Sequence, residues 1–519
     1  LAADQTLSFP IAQDVSDLDP ASMSNPADID IMRNVFSGLY RFDDRLHEVP
    51  DLAQGQPDVS SDGLTYTFHL RQKAQFSNGD PITADDVVYS WNRAAAKQGD
   101  YAGLFGLLAG YQDVAAGRSD HLAGLARVDD YTLTATLIKP AGYFITELAL
   151  WPYWLVDRNA IDIAGEDSWF THADTLIGSG PFRMATRVAG QSMDFVPLPG
   201  WYGGKTGAIT HVHVEVVPDL AAQVAQYQAG VFSLLGYARQ GLSAADAKRY
   251  TSDPVLNAQL SVVPSGTTFW IGFNLKTGPL AGEAGRAGRH ALSTSIDRGA
   301  LAAALCNAGT TCAPASGGLI SKGLLGFLGD GADVNAKFDA AAAKSEYQAW
   351  DPTGAKVNGL AYTYDTNPFN KAMCENLAAQ WKANLGITIP CVELDRKTFI
   401  DSRNASCAFA LFRQSWNADY DHPQNWFDNL AVTGAGSSGS CYSNANLDQL
   451  VTQADATRLS AALTRYVAAG RLLVGDVAVA PLLYGAQAYV IKPYVRGAGG
   501  NALYDDLWTG ARILSHSNP

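Results

Sequence analysis

The sequence predicts an α/β protein of two or three lobes, and three observations lead there. At 519 residues the chain is too long for a single hydrophobic core. Residues 359–365 read as a strand, 368–385 as a helix closed by Gly386, and 387–394 as a second strand. A strand–helix–strand unit of this kind calls for a right-handed crossover between parallel strands. The opening 44 residues repeat the mixture. Residues 6–12 are extended, Asp17-Leu18-Asp19-Pro20 makes a turn, and a helix is expected over 28–39, with Ile31, Val35, Phe36 and Leu39 at helical spacing.

The elements between follow from local pattern. Leu64, Tyr66, Phe68 and Leu70 alternate along one strand face. Asn78-Gly79 signals a turn, and Thr83 with Asp86 forms a capping-box variant opening the helix that carries Val87, Val88 and Trp91. Residues 129–139 alternate strictly through Tyr131, Leu133, Ala135 and Leu137, and another strand starts at Gly178-Ser179-Gly180-Pro181-Phe182. Strand 267–275 is rich in aromatics. Helices are expected over 289–301, 340–350 and 446–474, with a short one at 397–403, and residues 481–491 are extended.

Composition narrows the function. Hydrophobic content of 47% with 17% charged residues suits a folded globular chain. A net charge of −14, with no Lys-rich run, argues against nucleic acid or an anionic membrane as partner. No stretch of about 18 apolar residues spans a membrane. The start, LAADQTLSFP, has no Met and no signal-peptide pattern, so a processed or trimmed start is expected, with any lipid-bearing Cys outside the sequence. Six cysteines lie in the C-terminal half and fit no zinc spacing. Near neighbours suggest the pairs Cys306–Cys312, Cys374–Cys391 and Cys407–Cys441; six buried reduced thiols are the alternative. Oxidised, they place the protein outside the cytoplasm.

Two motifs lead elsewhere on inspection. Gly200-Trp201-Tyr202-Gly203-Gly204-Lys205-Thr206 ends like a phosphate-binding loop, but position 199, where that loop needs Gly, is Pro199. His211, His213 and Glu215 share one strand face, a pattern that suits zinc or simply a polar face opposite Val212, Val214 and Val216. No G-x-S-x-G, H-E-x-x-H or G-x-G-x-x-G stands after a suitable strand, so no catalytic residue, metal ligand or cofactor is assigned.

The stretch 409–430, FALFRQSWNADYDHPQNWFDNL, carries the chemistry. A largely apolar strand holds Arg413 and ends at Asn417, and Asp419 stands just beyond it among Trp416, Tyr420 and Trp426. A partly desolvated carboxylate needs a cation. That cation is either internal, with Arg413 one candidate, or it belongs to a ligand such as the ammonium of a peptide.

The pattern Arg413, Trp416, Ala418, Asp419, Tyr420, Pro423, Asn425 and Trp426 resembles the oligopeptide- and dipeptide-type solute-binding proteins of ABC importers, extracellular solute-binding family 5. FSNGDPITADDVVYSWNRA resembles that family's F-x-D/N-G-x-P-x-T-A-x-D-V-x-x-S signature, and similar motifs run in family order from about residue 6 to about residue 515. The resemblance implies a periplasmic-binding-protein-like fold: two large lobes with mixed sheets, a small third domain and a cleft between the lobes. Lobe I would be 1–44, 172–266 and 489–519, the additional domain 45–171, and lobe II 267–488. Hinge strands near 171–180, 262–270 and 485–493 would let the lobes close as a flytrap.

What the resemblance implies for function is an extracytoplasmic binding protein, periplasmic or a cell-surface lipoprotein. It would be a monomer and not an enzyme, and would deliver short peptides to an ABC permease. Asp419 would take the α-ammonium, and Arg413 or Arg403 the carboxylate. Trp416, Asn417, Ser415 and Tyr420 would line the ligand, with Phe269, Trp270, Tyr484, Tyr101 and Ser24. Alternation lets only one of Phe269 and Trp270 face it. Ser24 stands where oligopeptide binders usually carry a Glu. Relatives on this scaffold also bind metal chelates, haem, opines and oligosaccharides, which are the alternative ligands, and a secreted hydrolase is the competing class.

Overall fold

A computed structural model of the protein describes residues 1–516. The chain divides into two compact units, Leu1–Val262 with Ala488–Pro519, and Val263–Gln487. A boundary falls inside each of two long strands, Leu260–Phe273 and Val479–Ile491.

Besides two short two-stranded sheets, the first unit has two four-stranded ones. In one, Thr6–Ile11 runs parallel to His211–Val216, which pairs antiparallel with Ser192–Pro197 and through it with Phe182–Val188. Trp508 closes its core, with ring centroids 5.2 Å from Phe182 and 5.0 Å from Phe195. The second sheet is antiparallel, in the order Asp58–Val59, Thr65–His69, Thr132–Thr136, Leu125–Asp129. Helix Ala84–Lys97 starts at the expected capping box: the Thr83 N–H donates to Asp86 Oδ2 at 2.7 Å.

The helix expected over 28–39 is shorter, Pro26–Met32, capped by Asn25. The carbonyls beyond it serve other segments of the chain. Asn34 O accepts from the Phe182 N–H at 2.9 Å, Val35 O from Gly180 at 2.7 Å, and Ser37 O from Leu155 at 2.9 Å. That approach is why the 178–182 motif needs glycine, since a Cβ at Gly178 would lie 2.1 Å from Val35 O.

In the second unit the sheet order is Cys312–Pro314, Val479–Ile491, Leu260–Phe273, Leu411–Asn417, Tyr362–Asp365, Cys391–Leu394. Tyr362–Asp365 is parallel to both Cys391–Leu394 and Leu411–Asn417, as the crossover pattern requires. Helix Pro368–Leu385 makes the first crossover and ends on Gly386 at φ 78°. The strand expected at 387–394 begins only at Cys391, because Pro390 has no N–H for a ladder. Tyr362, Met373, Leu377, Trp381, Leu292 and Leu411 form the core.

Two expected helices are each broken in two. Residues 289–301 fall in Arg286–Thr294 and Arg298–Leu305, because Asp297 caps the second through Ala300 N–H at 3.0 Å. Residues 446–474 fall in Ala445–Asp455 and Leu459–Gly475, joined by a 2.6 Å hydrogen bond from Tyr466 Oη to Asp455 Oδ1. Two buried arginines pin this unit mainly through backbone carbonyls, with one bond from Arg298 to the Ser293 hydroxyl. Arg289 donates to Leu280, Gly282, Asp476 and Val477, and Arg298 to Pro481, Ser293 and Ala336.

The three expected disulfides are present, Cys306–Cys312, Cys374–Cys391 and Cys407–Cys441, with Cα separations of 4.8, 6.0 and 5.9 Å. All lie in the second unit. Among the described residues no helix is long and apolar enough to cross a membrane.

Candidate functional site

Strand Tyr362–Asp365 is the centre of the site because the sheet changes direction there. The chain leaves it through one helix to Cys391–Leu394 on one side, then through helix Arg396–Ser406 to Leu411–Asn417 on the other. In open α/β sheets ligands bind beyond the carboxyl ends of strands at such a switch point. These three strands run parallel, so their carboxyl ends lie together, carrying Asp365, Arg396 and the segment from Asn417 to Asp419.

Pairing with Leu260–Phe273 decides which side chains are open. The register sets Thr267 opposite Asn417, Phe269 opposite Ser415, and Ile271 opposite Arg413. Thr267, Phe269, Ser415 and Arg413 are half-buried and Asn417 is exposed. Thr267 Oγ1 donates to Asn417 Oδ1 at 2.8 Å. The opposite face is interior: Trp270 is 2% exposed and Gln414 1%. Of the two aromatic candidates, then, Phe269 stands on the open face, against Phe369 at 5.1 Å, and Trp270 is core.

Asp419 is half-buried just past the strand. Asn425 orients it, with Nδ2 donating to Asp419 Oδ2 at 2.9 Å while Oδ1 accepts from the Asp419 N–H at 3.2 Å. The same Oδ1 accepts from Trp416 Nε1 at 2.9 Å, so one amide fixes the carboxylate, its backbone and the neighbouring indole.

Arg413 has its ion pair with Asp365, at 3.6 Å, and donates Nε to Asn370 Oδ1 at 3.1 Å. Burial pushes its guanidinium below the ordinary value, against the pull of Asp365. Arg396 reaches the other oxygen of Asp365 at 3.4 Å. Arg403 is buried, donates to Gln414 Oε1, and is pushed down to about 10 by burial and then by the charge of Arg413. Two guanidinium groups thus reach a single carboxylate, with Arg403 close enough to feel the charge of Arg413, and the three arginines outnumber the one acid.

The remaining candidates are placed differently. Tyr420 and Tyr484 are interior: Tyr420 Oη donates to Gln424 Oε1, and Tyr484 Oη donates to Gly318 O at 2.7 Å. Ser24 and Tyr101 belong to the first unit. Ser24 is exposed, and Tyr101 packs edge-on to Trp151 at 4.5 Å. His211 and His213 both bond Asp194 Oδ1, at 2.9 and 2.8 Å, and no group of three metal-ligating side chains occurs among the described residues. Sequence reasoning missed Asp365, Arg396 and Asn370. Asp365 had a usable signal, since it closes a strand before a turn much as Asp419 follows one.

Comparison with known proteins places the chain in a family and a fold. The sequence profile of the bacterial extracellular solute-binding proteins, family 5 (middle), matches residues 48–438. The periplasmic murein peptide-binding protein MppA of Escherichia coli is 27% identical over 504 residues, 96% of this chain and 91% of its own. The periplasmic oligopeptide-binding protein OppA of the same organism is 26% identical over 528 residues, 98% of this chain and 92% of its own. Among solved structures, the unliganded open form of MppA superposes with a TM-score of 0.86 at 25% identity, covering 99% of this chain and 98% of that one. Haemophilus influenzae OppA in complex with RPPGFSPFR shares the fold, with a TM-score of 0.73 at 22% identity, covering 99% of this chain and all of that one. With three-quarters of its length matched by the family profile, the chain belongs to the bacterial extracellular solute-binding proteins of family 5.

Proposed function

We propose that the protein captures short peptides by their two charged ends outside the cytoplasm and hands them to the permease of an ABC importer. The observation that carries this is the pairing of opposite charges along one strand. Asp419, held by Asn425, stands beyond its carboxyl end, and the Arg413, Arg403 and Arg396 cluster lies six or more residues away in sequence. Asp419 takes the α-ammonium and the arginine cluster the α-carboxylate, in which charge-assisted hydrogen bonds are the strong contacts.

The backbone supports the same mode. The ladder to Tyr362–Asp365 covers only Leu411 and Phe412, and the Ser415 N–H is held by a side chain, Gln414 Oε1, at 3.0 Å. An extended peptide adding to a strand in this way gains affinity without its side chains being read. Phe269, Ser415 and Asn417 would flank it on the open face. Three disulfides fit an oxidising compartment, as does a family of extracellular proteins.

Calorimetry with a free tripeptide and its N-acetyl form tests the proposal. Asp419→Asn should weaken the free peptide by about 1–3 kcal/mol, the value of a charge-assisted hydrogen bond. The acetylated peptide should bind poorly to the native protein. Equal affinity for the two peptides would remove Asp419 from amine capture, and native mass spectrometry of freshly purified protein would then identify the retained solute by mass.

A further inference from the structure

The first unit holds a partly enclosed pocket of about 170 Å³ whose walls the peptide-binding proposal does not use. Three cations line it, Arg33, Arg41 and Lys205, the last from the turn that only imitates a phosphate-binding loop. Among the described residues none of them has a carboxylate within 4.0 Å. Arg33 donates to the carbonyls of Asp505 and Phe42 and lies over the Tyr504 ring, 4.5 Å from its centroid. Arg41, half-buried, and Lys205, exposed, make no hydrogen bond or ion pair among the described residues. Of the lining's charges the buried Asp51 offsets only one cation, that of Arg41, and an anion would balance the others.

Asp51 is the only carboxylate in the lining, and it is already engaged. It accepts from Tyr202 Oη at 2.8 Å and from Ser37. Burial raises its carboxyl above the ordinary range, with Arg41 and Tyr202 pulling the other way. The pocket's balance is therefore positive in a protein of net charge −14.

The rest of the wall is aromatic. Trp151, Trp154 and Trp201 all contribute. Trp151 Nε1 donates to Met23 O at 2.7 Å and Trp201 Nε1 to Ser179 O at 3.2 Å, so these two indoles offer the pocket carbon surface. Trp201 lies across Gly203, where an added Cβ would stand 2.2 Å from the indole ring. Cavities of about this size hold a benzene-sized ring.

We propose that this pocket is a second ligand site, taking a small aromatic monocarboxylate with its ring among Trp151, Trp154 and Trp201 and its carboxylate among Arg33, Arg41 and Lys205. Titrating the full chain with benzoate by calorimetry should give saturable binding, with neutral benzamide at least about ten-fold weaker, since the charge supplies the strong hydrogen bonds. Lys205→Gln, a change at an exposed side chain, and Arg41→Gln should each weaken benzoate about five- to ten-fold while tripeptide affinity stays unchanged. Asp419→Asn should leave benzoate binding intact, which separates this site from the peptide site. The proposal is overturned by benzamide binding as well as benzoate, by failure to saturate at about 10 mM, by an unaffected Lys205→Gln protein, or by loss of benzoate binding in Asp419→Asn. Displacement of benzoate by equimolar inorganic phosphate would also overturn it, marking a plain anion site with no use for the indoles.

Discussion

Asp19 is wholly buried in the first unit, yet it is ringed by charge. Arg93 Nη1 and Lys97 Nζ reach it at 2.9 and 2.7 Å, and both also reach Glu166. Burial alone would raise its carboxyl, but the hydrogen bonds and charge of Arg93, with help from Lys97, hold it below the ordinary value. A depressed folded value means the stabilisation is complete above the unfolded value of about 3.8 and is lost as pH falls through the folded one. Asp19→Asn, which leaves Arg93 short of its buried anion, should cost about 3 kcal/mol at pH 7. In urea melts the gap to the native protein should shrink on acidification below about pH 4. A gap constant from neutral to strongly acid conditions would refute this account.

Single residues were unevenly legible in the sequence. Asp419 announced itself by following an apolar strand into a turn, and the strand's period of two reduced Phe269 and Trp270 to one open side chain before any coordinates. Asp365 carries a signal of its own by closing a strand before a turn, but its tie to Arg413 has none, because the two meet only through the pairing of strands some fifty residues apart. Interior tyrosines such as Tyr420 and Tyr484 look like binding aromatics in a linear chain, and only burial separates the two.

At the scale of elements, local signals located helices and strands well and their interruptions poorly. Gly386 and the Thr83–Asp86 box marked true ends. Asp297 ended one helical pattern and began another, but the apolar spacing runs through it, so the break was read as continuous helix. The side chain of Asp297 decides it, by accepting from the third amide of the next helix. Asp297→Ala should therefore cost about 1 kcal/mol, seen as a lower urea midpoint at unchanged slope. An unshifted midpoint would mean that Gln380, which accepts from the Asp297 N–H at 2.6 Å, fixes the break instead.

Over the whole molecule, the α/β class followed from the crossover pattern and chain length, because those depend on sequence order alone. The reversal of strand order about Tyr362–Asp365, which gathers the candidate site, depends on which edge each crossover takes, and no local pattern records that choice. Net charge also acts at this scale. At −14 the protein should attract cationic peptides and repel anionic ones over distances that salt screens. Stopped-flow association of trilysine should slow as ionic strength rises from about 10 to about 150 mM, and that of triglutamate should quicken. Equal salt dependence for both would show that the acidic groups lie too far from the entry route to steer a ligand.

The cystine bridges are confined to one of the two units, and Cys374–Cys391 ties the first crossover helix to the strand beside Asp365. The two halves of this protein should consequently mature by different routes. One should reach its final shape by packing alone, while the half that would grip the proposed peptide should stay unfinished until an oxidant has visited it, so secretion itself would act as the licence to bind.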